Sequence, residues 1–131
     1  GLAMAESALA HTIEYVKERK AFGKPIAGFQ NTQFKIAEMH TKLEVARAYV
    51  DRCLELHLKK ELDIPTAAAG KYYITDLQCE VIDECLQLHG GYGYMWEYPI
   101  ARMFADSRVQ RIYGGTNEIM KGIVAKAVLA D

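Results

Sequence analysis

Apolar residues return every three or four positions through most of the chain, the period of a helix with one buried face. Leu2, Ala5, Leu9, Ile13 and Val16 mark such a stripe in a first helix expected to run to about Lys20, with Gly23 and Pro25 as its stop. Ile36, Met39, Leu43, Ala46, Val50 and Cys53 define a long second helix ending near Lys60, with Lys35, Glu38, Lys42, Asp51, Arg52 and Glu55 off the stripe. Asp63 and Pro65 are start signals for a third, whose stripe of Ile74, Leu77, Val81, Cys85 and Leu88 is broken by Gly90-Gly91. Gly70 lies inside it and marks a close helix contact. Pro99 opens a short helix through about Ser107, and Thr116 caps a last helix carrying Ile119, Ile123 and Ala127. No alternating strand pattern competes. The pattern predicts an all-α fold, an up-and-down four-helix bundle with an extra short helix, as one domain over residues 1–131.

Composition narrows the picture. Half of the 131 residues are apolar, enough for one real core. The 16 basic and 17 acidic side chains nearly cancel, so no whole-chain field recruits nucleic acid or an anionic membrane. No apolar run approaches the roughly 20 residues of a transmembrane segment. Cys53, Cys79 and Cys85 are odd in number and lack a CxxC spacing, which predicts reduced thiols. Residues 1–6 read as the middle of a helix without a capping residue, which predicts a part upstream of them.

Candidate chemistry starts from what a bundle of this size commonly holds, a di-iron centre built on Glu-x-x-His pairs. The residues three before His11, His40, His57 and His89 are Ala8, Ala37, Leu54 and Leu86, so no metal site is expected and the histidines are read as surface or packing residues. Arg19 to Gly23, followed by Phe29-Gln30, puts a cation and aromatics where a helix breaks. Such a junction can hold a phosphate, or it can be a solvated basic C-terminal turn. Gln87 to Tyr94 has more glycine than one left-handed cap requires, which suits backbone pressed against a ligand or another chain; Tyr92, Tyr94, Trp96 and Tyr98 can equally pack a loop over the core. Ile112 to Glu118 joins a glycine pair to a helix N-terminus, whose amides suit a phosphate or a developing oxyanion; a plain turn with a Thr cap reads the same way.

Taken in order, Arg19-x-x-Phe22-Gly23, Phe29-Gln30, Gln87-x-x-Gly90-Gly91-x-Gly93, Glu97-Tyr98-Pro99 and Ile112-Tyr113-x-Gly115-Thr116 resemble the C-terminal helical domain of the acyl-CoA dehydrogenases, over nearly the whole chain. The resemblance implies a flavoenzyme, with FAD as cofactor, that takes a proton from the α-carbon and a hydride from the β-carbon of an acyl-CoA thioester to give a trans-2-enoyl-CoA. It implies electron-transferring flavoprotein as the electron acceptor, a place in fatty-acid β-oxidation and a homotetramer with these bundles at its centre. It assigns cofactor contacts to Arg19, Phe22, Phe29 and Gln30, to Gln87, Leu88, His89, Gly90 and Gly91, and to Thr116, Asn117 and Glu118, the first two groups serving FAD held mainly by a neighbouring subunit. Substrate contacts fall on Gly114 and Gly115.

Gly114 departs from the family's common wording. Most members carry the catalytic glutamate there, and glycine has no group that accepts a proton. A minority with glycine or alanine at this place, the long-chain branch among them, supplies the base from the helix matching the first helix here. The wording Gly114-Gly115-Thr116-Asn117-Glu118-Ile119-Met120 is most similar to that branch. The expected base lies about two turns before Gly1, so no catalytic residue is assigned within the chain, and Glu6 is read as an exposed carboxylate out of register. Gly114 retains its backbone N–H, which in the family helps hold the thioester carbonyl. On this reading the chain alone is inactive, and the whole enzyme works in a bacterial cytoplasm or a mitochondrial matrix. The alternatives are a stand-alone helical assembly or binding module without catalysis, and a part of an acyl-CoA oxidase.

Overall fold

The computed structural model describes residues 1–130. Its main elements are α1 (Leu2–Glu18), β1 (Lys20–Ala21), β2 (Lys24–Pro25), α2 (Gln30–Leu58), α3 (Ile64–His89), α4 (Pro99–Ser107) and α5 (Asn117–Val128), with short 3-10 turns at Ile26–Gly28, Gly90–Tyr94 and Arg108–Arg111. The fold is all-α apart from one two-residue ladder.

α3 is the hub. It packs against α1, α2, α4 and α5, and the shared core joins Leu2, Ala5 and Leu9 to Met39, Leu43 and Ala46 and to Leu77, Val81, Ile82 and Cys85, with Ile100 closing one end. The first three expected stripes therefore face one another, with Ile13, Ile36, Val50 and Leu88 half-buried at the margins. Asp63 caps α3 by accepting the Thr66 N–H at 2.7 Å, and Pro65 occupies the first turn, where its missing N–H costs nothing. A β-carbon on Gly70 would lie 3.2 Å from the Tyr49 ring, so the glycine does let α2 and α3 approach closely.

Two expectations change. α1 ends at Glu18 rather than Lys20, because Lys20 and Ala21 pair with Pro25 and Lys24 in a tight antiparallel hairpin that alternation could not reveal in strands so short. Phe22 and Gly23, at φ 52° and 81°, form its two-residue turn with both residues left-handed, the conformation that matches strand twist. The apolar residues named on α5 also divide, with Ile123 half-buried but Ile119 and Ala127 exposed. Ile119 is 57% exposed, whereas Asn117 is 1% exposed and Met120, Ile123 and Val124 are half-buried against α3. Polar bonds made by Asn117, invisible to a hydropathy pattern, set that face.

Candidate functional site

An open cleft lies where the end of α1 meets the end of α3. Tyr15 lies in the last turn of α1, and Arg19 caps its end, donating its backbone N–H to the Tyr15 carbonyl oxygen at 2.8 Å. The Tyr15 hydroxyl donates to the His89 carbonyl oxygen at 3.1 Å, and its ring stacks on the His89 imidazole at 4.2 Å between centroids. His89 is buried, with Nδ1 2.8 Å from the Cys85 carbonyl oxygen. A carbonyl only accepts, so Nδ1 carries the proton and Nε2 is bare. Burial holds the imidazole below its usual range and raises the Tyr15 phenol, so both stay neutral near pH 7.

Gly90, at φ 60°, ends α3 and turns the chain away, while Tyr92 and Tyr98 stack at 5.1 Å and the Arg19 guanidinium lies 5.3 Å over the Tyr92 ring. These groups enclose an open cleft of about 520 Å³, walled by Tyr15, Arg19, the run from Gln87 to Tyr92, Ile26 and Met95. Arg19 and Gln87 to Gly91, separated by most of the chain, are thus brought together. β-carbons on Gly90 or Gly91 would meet nothing within 4 Å, so their backbone is open to a ligand. Gly93 is different, pressed against α3 rather than offered outward.

Phe22, Phe29 and Gln30 do not line that cleft. Phe22 stands 96% exposed at the hairpin tip, edge-on to Phe29 at 6.3 Å, and the Lys24 ammonium sits 4.2 Å above the Phe29 ring. Gln30 is exposed in the first turn of α2.

The third group surrounds the start of α5. Gly114 and Gly115 have φ 64° and 90°, and the Thr116 hydroxyl accepts the Ile119 N–H at 3.4 Å. Glu118 is exposed, and a backbone hydrogen bond from its own amide, then one from Thr116, holds its carboxyl below the usual range. Asn117 points inward. Its amide nitrogen donates to Thr75 and Asp76 at 2.9 Å each, and its oxygen accepts from Lys71 at 2.7 Å. That side chain is committed to the α3–α5 junction.

Sequence reasoning missed Tyr15, Lys71 and Asp76. The helical offset of Tyr15 from Arg19 was a usable signal, and so was the run of polar Lys71, Thr75 and Gln78 along the buried side of α3. Glu6 is not a free carboxylate: Arg47 holds it in a two-pronged ion pair, with Nε to Oε1 at 3.0 Å. No cluster of metal-ligating side chains occurs among the described residues, and no helix there is long and apolar enough to cross a membrane.

This all-α domain brings Arg19 and the segment from Gln87 to Gly91 to one open cleft, and places a glycine pair at the start of α5. Residues 1–129 match the family model for the acyl-CoA dehydrogenase C-terminal domain, and the chain belongs to that family. It is 52% identical over 130 residues to a long-chain specific acyl-CoA dehydrogenase, mitochondrial, of Mus musculus, a match covering 99% of this chain and 30% of that protein. The crystal structure of an acyl-CoA dehydrogenase from Geobacillus kaustophilus superposes with a TM-score of 0.96 at 43% identity, over 98% of this chain and 34% of that one. A glutaryl-CoA dehydrogenase from Mycobacterium smegmatis, solved in complex with FADH2, superposes at 0.95 with 26% identity over 99% of this chain and 34% of that one. The chain thus spans about a third of the length of the relatives it matches.

Proposed function

We propose that this domain serves a flavin-dependent acyl-CoA dehydrogenase, presenting its cleft to FAD bound mainly by a neighbouring subunit and its glycine pair to the acyl-CoA thioester. The convergence of Arg19 with Gln87 to Gly91 on one cleft carries the reading. The residues fit the ADP part of FAD. Arg19 supplies a planar donor fork for phosphate, whereas the carbonyl end of α3 suits hydroxyl and amino donors better than it suits an anion. Bound FAD supplies the acceptor for the hydride leaving the β-carbon.

At the substrate end, the Gly114 N–H donates to the thioester carbonyl oxygen and stabilises the negative charge that grows there as the α-proton leaves. The proton goes to a glutamate outside residues 1–131. Glycine cannot take it, and Glu6 is occupied by Arg47. Electron-transferring flavoprotein then receives the electrons, and a homotetramer provides the shared cofactor sites.

Flavin bleaching under an acyl-CoA series tests this reading. The flavin-loaded full-length enzyme should bleach with a preferred chain length, whereas the 131-residue chain with added FAD should not. Turnover by the chain alone would overturn the external base, and an inert holoenzyme would overturn the activity.

A further inference from the structure

Lys71 spends its ammonium on a turn. It donates to the Gly115 carbonyl oxygen at 2.7 Å and to Asn117 Oδ1 at 2.7 Å. Asp76, the carboxylate bonded to Asn117, is itself engaged by Arg111 at 2.6 Å and Lys121 at 3.5 Å. The turn needs holding. Two consecutive left-handed glycines carry no side chain to restrict them, and ordering backbone costs most conformational entropy at glycine.

Two local restraints act on it, the Thr116 cap and the Met120 methyl, which lies 2.5 Å from where a Gly115 β-carbon would stand. Thr116 caps α5 and Met120 lies in its first turn, so both restraints are local to the turn. Lys71 belongs to α3, the helix whose other end forms the wall of the Arg19 cleft. The lysine therefore ties the glycine turn to the element that positions the cofactor surface.

We propose that Lys71 is a positioning residue for thioester activation: by fixing the Gly115 carbonyl from α3, it anchors the far end of the glycine turn whose Gly114 N–H, two peptide units earlier, faces the acyl-CoA carbonyl oxygen. The inference rests on the dehydrogenase reading above. A donor held in place helps the transition state more than the ground state, so its loosening falls on kcat rather than KM.

The test compares wild type, Lys71→Met and Lys71→Arg in the flavin-loaded holoenzyme. Methionine keeps the stem and helix propensity without a donor; arginine keeps donors. Lys71→Met should lower kcat about tenfold with KM within about twofold. A bound 3-oxoacyl-CoA, followed by its enolate absorbance, should ionise about one pH unit higher, because its carbonyl is less polarised. Amide hydrogen exchange at Gly115 and Thr116 should quicken, and Lys71→Arg should restore all three. A purely structural lysine would lower thermal stability and leave the enolate ionisation where it was, which would overturn the proposal. Should Lys71→Met fail to fold, Lys71→Gln, with a shorter neutral amide in place of the ammonium, is read by the same criteria. A wild-type enzyme that neither oxidises an acyl-CoA nor binds the analogue overturns both readings; an active wild type with an unchanged variant overturns only this one.

Discussion

Gly93 lies so close to Leu86 that a β-carbon on it would stand 2.5 Å from the Leu86 carbonyl oxygen and 3.1 Å from its side chain. This glycine belongs to the fold and not to a ligand surface, unlike Gly91 two residues earlier, where the space is open. Gly93→Ala should therefore destabilise the protein by about 1–3 kcal/mol through overpacking against backbone that cannot yield. Gly91→Ala should change stability by less than about 0.5 kcal/mol. Urea unfolding midpoints measure both, and equal losses at the two positions would refute the distinction.

Glu6 offers a test of where the catalytic base resides. Its carboxylate bridges α1 to Arg47 of α2, and hydrogen bonding to Glu6 is the main reason the guanidinium is raised further above its usual range. Both side chains remain more than a third exposed, so solvent screening keeps the pair a modest contributor. Glu6→Gln should lower the unfolding temperature slightly and leave kcat in the full-length enzyme unchanged. A collapse of kcat with retained stability would make Glu6 the base.

How much of this was legible in the sequence depends on which force set each feature. α1, α2 and α3 are held by apolar burial, and the three-and-four spacing of Leu2 to Val16, Ile36 to Cys53 and Ile74 to Leu88 located them. Pro99 and Thr116 placed the next two helix starts, because caps act locally. On α5 the sequence named Ile123, which is half-buried, but not Asn117, whose hydrogen bonds to α3 hydropathy does not read. The hairpin left no alternation to read, and only the left-handed turn of Phe22-Gly23 creates it. At the site, the motif wording supplied Arg19 and Gln87 to Gly91, but the bond from Tyr15 to the His89 carbonyl that joins them spans most of the chain. Spacing along a helix carries no information about such a partner.

Cys85 has a pH signature of its own. Burial pushes its thiol from 9.0 up to about 11, with the nearby Thr12 hydroxyl opposing part of the shift. A raised pKa favours the protonated folded form, so this stabilisation is complete below pH 9 and is lost as pH rises toward about 11. Cys85→Ala should flatten the alkaline fall of the unfolding temperature across that window. At pH 8 the half-buried Cys53 and Cys79 should be alkylated before Cys85, as peptide mass mapping will record. Early modification of Cys85 in the native protein would contradict its burial.

Phe22 combines a backbone conformation that disfavours it with a side chain that gains little from its own chain. Its φ of 52° suits asparagine or glycine, and its ring is 96% exposed. A bulky aromatic kept in that position is a local cost without a local return, which fits a contact outside the chain. Phe22→Asn, giving the preferred Asn-Gly hairpin turn, should keep or raise the unfolding temperature while weakening FAD retention and subunit assembly in the full-length enzyme. Arg19→Lys should also loosen FAD, by about tenfold, because an ammonium cannot reproduce the planar fork or its stacking over Tyr92. Flavin released on gel filtration and the oligomer mass by light scattering separate the effects. If Phe22→Asn gains stability and holds flavin and partners as tightly as wild type, the hairpin tip has no external role and the cofactor surface contracts to the Arg19 cleft.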